Sequence, residues 1–272
     1  MERVAADWIK EPGRYAGFAR RLSLGGEEYG FCWIPPGEFD MGSPKGLLVF
    51  GGEADRCDDE SLHHVVLTAG FWLLETPVTQ RFYERIMETN PSRFRGVELP
   101  VESASWNEAV DFCERLTELL PEGTKASLPT ESQWEYACRA GTSTPYFWGK
   151  SLNGDRANCD GNYPCGTNTK GPFLEKTTPP KSYAPNPWGL YDMHGLVNEW
   201  TLDWYGRYPK GTVEDPRGAD SGEGRVMRGG SWDDPARACR SASRDWYEPD
   251  DRYEDLGFRV LLCSKTDASR VF

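Results

Sequence analysis

The 272-residue chain carries a formal net charge of −12, with no basic stripe of the kind a phosphate backbone needs, so nucleic acid is excluded as a partner. Its hydrophobic content of 38% is low, yet 11 Trp, 12 Tyr and 12 Phe supply large buried area, while 29 Gly and 20 Pro imply many turns and short elements. No apolar run is long enough for a membrane-spanning helix, and the opening MERVAADWIKEPGRYAGFARR has no apolar signal-peptide core, so the expectation is either a cytoplasmic protein or a cell-surface one whose leader has been removed.

In chain order, residues 1–24 read as charged and weakly helical, an extension ahead of the main fold. GGEEYGF then turns into a strand, and CWIPPGEFDMGS reads as a strand, a Pro-Pro turn and a second strand. Residues 44–61 form a Gly- and Asp-rich loop, and HHVVLTAGFWLLET supplies two more strands. Thr79 caps a helix that stops before Asn90–Pro91. Ser105 and Glu108 make a capping box ahead of Ala109, Val110, Cys113 and Leu116 at helical spacing. Thr130 opens a second capping box, with a helix over Ser132–Ala140 halted by Gly141. From Thr142 to Arg225 turns dominate, and RVMRGGSW and GFRVLL are the clearest later strands. No repeat or linker interrupts residues 26–265, so one domain is expected. Trp106, Trp134 and Trp200 are expected in the core.

The chemistry-bearing residues are sparse. Cys113 and Cys138 fall in helical patterns as small buried thiols, whereas Cys159 and Cys165 share a polar loop that could hold a local bridge or metal clip. No CxxC occurs, which removes the zinc-ribbon signal. His63 and His64 alternate faces of a strand, so they cannot serve one site, and His194 lies in the turn YDMHG.

The phrases GEFDMGS, ETPVTQRFYE, LPVESASWNEAVDFC, LPTESQWEYACRAG, PNPWGLYDMHGLVNEW, RVMRGGSW and LGFR occur in the order seen in the formylglycine-generating sulfatase-modifying family, across residues 26–263. The resemblance implies an α+β domain of C-type lectin fold, with a small twisted antiparallel sheet, few helices and extensive irregular loops. The family's oxidases work through two cysteines between the GGS and LGFR strands, because Cu(I) wants thiolates. Here SWDDPARACRSASRD holds only Cys239, so oxidase activity is disfavoured. The family's iron-dependent sulfoxide synthases need three histidines on a helical module that this chain lacks. Calcium, which the family often binds, would find Asn158, but Leu196 stands where an Asn ligand is expected, Lys170 where an acid is expected, and Asn198 and Glu199 lie nearby. No metal or other cofactor is expected, with calcium the one left open.

The C-terminal part, RVMRGGSWDDPARACRSASRDWYEPDDRYEDLGFR, is similar to the variable region of retroelement-diversified proteins of this fold. That resemblance implies a framework of Arg228, Gly229, Gly230, Ser231, Trp232, Arg240, Ser241, Arg244, Pro249, Arg252, Gly257, Phe258 and Arg259 within residues 227–259. The ligand-facing positions would be Asp233, Asp234, Arg237, Ser243, Asp245, Trp246, Tyr247, Glu248, Asp251, Tyr253, Glu254 and Asp255, with Pro235 and Ala238 also changeable. The physics agrees: arginine's five donors can hold irregular chain still, and Tyr and Trp give rigid contact area at low entropy cost. The expectation is a monomeric, non-catalytic protein that binds a protein or cell-surface ligand. An oxidase or an accessory structural domain is the alternative.

Overall fold

The computed structural model describes residues 4–45, 53 and 55–267. The expected helical start is instead a short 3-10 turn over Asp7–Lys10 followed by strand β1 (Ala19–Leu24). Leu22 and Leu24 alternate inward while the charged neighbours face water, a period of two that the arginines mask in the sequence. β1 pairs antiparallel with β2 (Glu27–Ile34), and Val4, Ile9, Leu22 and Leu24 enter the main core, so this segment is built into the domain.

β3 (Gly37–Met41), β4 (His63–Leu67) and β5 (Phe71–Leu74) follow as expected. Helix α1 (Gln80–Met87) starts at Thr79, whose side chain accepts from Phe82 N, and ends on Glu88 in the left-handed region. Both capping boxes form: Ser105 with Glu108 opens α2 (Trp106–Leu119), and Thr130 with Gln133 opens α3 (Glu131–Arg139). The third helix thus begins one residue earlier than expected and stops on left-handed Ala140.

Between and after the helices come β6 (Thr124–Ser127), β7 (Asn198–Trp204), β8 (Thr212–Glu214), β9 (Arg225–Arg228), β10 (Arg244–Tyr247), β11 (Leu256–Phe258) and β12 (Leu261–Ser264). They form sheets ordered β1-β2-β5-β12-β6, β10-β9-β7-β11 and β3-β4-β8. Pairing is mostly antiparallel, but β11 runs parallel to β7 and β8 parallel to β4, so the sheets are mixed. GFRVLL splits at Arg259–Val260 and feeds two different sheets. Trp134 and Trp200 are fully buried as expected. Trp106 is only half-buried, with Arg225 stacked on its ring, because it sits at the exposed first turn of α2.

Candidate ligand-binding face

The segment from β9 to β11 is fastened from beneath. Arg228, at the end of β9, donates to the carbonyls of Ser241, Ala242 and Ser243 at 2.5–3.0 Å and pairs with Glu135. Arg240 meets Glu53 and Glu60 at 2.6 Å and the Asp55 carbonyl at 3.0 Å. Arg244 forms a two-pronged pair with Glu131, both bonds 2.8 Å, donates to Gly206 O, and stacks near Tyr205 and Tyr208. Arg259 holds Glu199 and the carbonyls of Leu74 and Tyr191. All four guanidinium groups are buried and each has carboxylate and carbonyl acceptors, the condition under which a buried ion is tolerated. Arg252 differs: it is exposed and pairs with Glu108 on α2.

Gly229 and Gly230 turn the chain out of β9 with φ of +99° and +68°. At Gly230 an added Cβ would lie 2.7 Å from Cys239 Sγ and 3.0 Å from Cys239 N, so the side chain and backbone of the following turn both pack directly against it.

On this frame Asp233, Arg237, Asp245, Trp246, Glu248 and Tyr253 are exposed, while Asp234, Ser243, Tyr247, Asp251, Glu254 and Asp255 are half-buried. Trp246 is 36% and Tyr253 44% exposed, large apolar area that a globular surface need not display. Tyr253 packs on Tyr247 with ring centroids 4.5 Å apart, and Trp246 leans toward Tyr205 at 6.0 Å.

Two of the expected ligand positions, Asp234 and Asp255, are also tied inward, and two more, Asp251 and Glu254, are engaged at the surface. Asp234 Oδ2 accepts from Ser231 N, Ser231 Oγ and Asn198 Nδ2 at 2.7–3.0 Å, and Asp255 Oδ2 accepts weaker bonds from Asn198 and Ser231. Two carboxylates thus share the same donors. Burial, then the charge of Asp234, pushes Asp255 up to about 6. Asp251 accepts from Glu248 N, and Glu254 pairs with Arg93. Asp233 is raised by burial and then by Asp234, Asp160 and Glu254; Asp245 is raised by burial and then by Asp234 and Asp59. A small cleft of about 40 Å³ between Asn198, Asp234, Ser243, Arg244 and Asp245 indents this acidic surface.

Sequence reasoning missed Asn198 as a strut and Tyr205, Asp59 and Asp160 as neighbours. Tyr205 Oη donates to Asp59 at 2.7 Å, which joins two loops far apart in the chain, so no local pattern announces them.

Cys159 and Cys165 are free thiols, with Cys165 paired through its backbone to Leu152. They form no disulfide with one another; both are buried in a small cluster with Tyr146 and Cys239, where Cys159 and Cys239 are neighbours. This second thiol comes from a loop the spacing argument did not reach. Both thiols are buried, Cys239 at 0% and Cys159 at 1% exposure, and the Cys159 contact and burial push the Cys239 thiol far up. His63 is buried, while His64 faces out onto Asp40, which places the two on opposite faces. His194 is buried, with Nδ1 2.7 Å from the Cys239 carbonyl.

For calcium, Asn158 Oδ1 is a buried oxygen without a hydrogen-bond partner among the described residues, which suits a hard cation. Asn198 and Glu199 do not add to it: Asn198 is engaged by Asp234, and Glu199 by Arg259 and Trp134. Lys170 is exposed. One oxygen fits and the remainder of the expected ligand set does not.

Residues 25–263 match the family described as "Sulfatase-modifying factor enzyme 1-like domain". The chain is 34% identical over 223 residues to the formylglycine-generating enzyme of Mus musculus, covering 78% of this chain and 56% of that protein. It is 33% identical over 191 residues to the "Inactive C-alpha-formylglycine-generating enzyme 2" of the same species, covering 67% of this chain and 55% of that protein. The chain spans about half the length of these curated relatives. Among solved structures, "Treponema denticola variable protein 1" superposes with a TM-score of 0.71 at 25% identity, covering 90% of this chain and 99% of that one. "PvdO from Pseudomonas aeruginosa" superposes with a TM-score of 0.74 at 25% identity, covering 92% and 99%.

Proposed function

The chain belongs to the sulfatase-modifying factor enzyme 1-like family, whose C-type lectin fold it shares, and within that family we propose that it is a non-catalytic binding protein. Its ligand is a protein or cell-surface molecule, met by the exposed part of residues 233–255. The observation that carries the reading is the division of labour in this segment. Buried arginines and two left-handed glycines hold the backbone, while Asp233, Arg237, Asp245, Trp246, Glu248 and Tyr253 face water. Side chains that the fold does not need can be exchanged, which is what a diversified binding surface requires. The half-buried positions Asp234 and Asp255 serve mainly as struts, and the exchangeable set contracts accordingly.

The likeness to a protein titled "variable protein" over nearly its whole length, and to a relative named inactive, supports this reading. An area of about 800 Å² per partner is a usual size for one such face, with the aromatic pair at its centre and the carboxylates at its rim. The competing reading is a copper-dependent oxidase, favoured by the contact between Cys159 and Cys239. Sequencing the DNA around the gene separates the two. The binding reading expects a near-copy of the stretch coding for residues 227–259, differing at adenines, beside a reverse transcriptase. A gene with no such copy, whose copper-loaded product consumes oxygen on a cysteine-containing peptide, would overturn it.

A further inference from the structure

A separate cavity of about 280 Å³ lies where the end of β7, the first turn of α3 and the β3-β4-β8 sheet meet. Trp204, Tyr208, Pro209, Val213 and Pro216 give it apolar walls. Its floor contains two carboxyl groups in different states of satisfaction. Glu131 is fully engaged, by both prongs of Arg244 and by Tyr208 Oη at 2.8 Å. Asp203 is 3% exposed and accepts one backbone bond, from Glu131 N at 2.7 Å, but makes no ion pair among the described residues.

We propose that this cavity is a second binding site, for a small organic ammonium compound whose charged nitrogen meets Asp203 and whose body lies against Trp204 and Tyr208. A buried carboxylate without an ion-pair partner is costly; the nearby Arg244 is taken by Glu131, and an ammonium would supply the direct partner. Trp204 and Tyr208, each with an arginine on one ring face, offer apolar contact to the body of the ligand. Arg207, Arg217 and Arg244 also line the cavity, so the preference for an ammonium rests on Asp203. The volume is at the small end for ligand pockets, which suits a body of roughly ten heavy atoms.

Proton linkage distinguishes this ligand from a neutral one. Burial, and then the charge of Glu131, raises Asp203 to about 7, while Arg244 on β10 and Arg225 on β9 pull it down without overcoming burial. His63 on β4, Glu214 on β8 and Tyr208, Arg207 and Arg217 on the adjoining loops also border the cavity. An ammonium must ionise Asp203 and therefore displaces its proton. No exposed residue of the 233–255 face lines this cavity, so the proposal stands apart from the binding reading above.

The test is calorimetry on the whole chain with primary amines from butylamine to 2-phenylethylamine and their neutral alcohol counterparts, in buffers of different ionisation enthalpy. The amine is expected to bind at least about tenfold tighter than its alcohol at pH 8, to release about half a proton at pH 7, and to lose roughly tenfold in affinity for each unit that pH falls well below 7. Asp203→Asn is expected to abolish the preference and the proton release. Because that variant also alters the cap of α3, its melting curve is read alongside, and the wild-type proton release decides if it unfolds. No amine binding up to millimolar concentration, or amine and alcohol binding alike without proton release, would overturn the proposal.

Discussion

Asp255 sits where the frame and the exposed face meet, and its chemistry shows how finely the two divide. Its carboxyl is raised from 3.8 to about 6, first by burial and then by Asp234. A carboxyl raised on folding contributes stability that is present below 3.8 and lost as pH rises through 6. Asp255→Asn keeps the shape and removes the titration. The variant should therefore gain on the wild type between pH 4.5 and pH 7.5, read as a shift in urea midpoint; a gap that does not change with pH would show that the two carboxylates do not repel. The arginine frame was legible through its resemblance to a variable region. Asp234 and Asp255 could not be told from their exposed neighbours, because Asn198 and Ser231 decide their burial, and Asn198 lies on another strand.

Among the elements, those fixed by contacts three or four residues apart were readable. Both capping boxes form, and α1 starts on Thr79, since a cap and its target lie within one turn. β7 was not readable: Asn198–Trp204 is buried on both faces, so it shows no alternation, and its neighbours β9 and β11 come from far along the chain. β10 was hidden for the opposite reason, with Asp245 and Trp246 both exposed at the edge of a sheet. Trp246 N is met by the side chain of Asp245 at 2.8 Å, and Glu248 N by Asp251 at 3.1 Å, so local carboxylates quiet this edge. The turn that leads from β9 is the most demanding point. Gly230→Ala adds a Cβ 2.7 Å from Cys239 Sγ at positive φ, whereas Gly26→Ala, at φ +88°, meets nothing within 4 Å. Both pay the left-handed cost, but the first should lose about 1–3 kcal/mol more in urea unfolding, the usual toll of overpacking. Equal losses would mean the turn yields easily.

For the molecule as a whole, a chain with few helices and much irregular backbone is held in one shape by buried arginine-carboxylate pairs that join its sheets. Arg259 ties β5 to β7, and Arg244 ties β10 to α3. Composition and the family resemblance carried the fold class; the mixed sheet order and the β1 strand needed coordinates, because distant pairing leaves no local period. The most direct measurement is thermal denaturation of the triple variant Asp245→Ala, Glu248→Ala, Tyr253→Ala, all exposed positions, beside Arg244→Ala. The account predicts that the triple variant melts within about 5 °C of the wild type, since exposed substitutions each cost about 0.5 kcal/mol or less. Arg244→Ala strands buried Glu131, costs about 3–5 kcal/mol and should melt at least about 8 °C lower. A triple variant that unfolds as early as Arg244→Ala would contradict the claim that the face is carried by the frame and free to change.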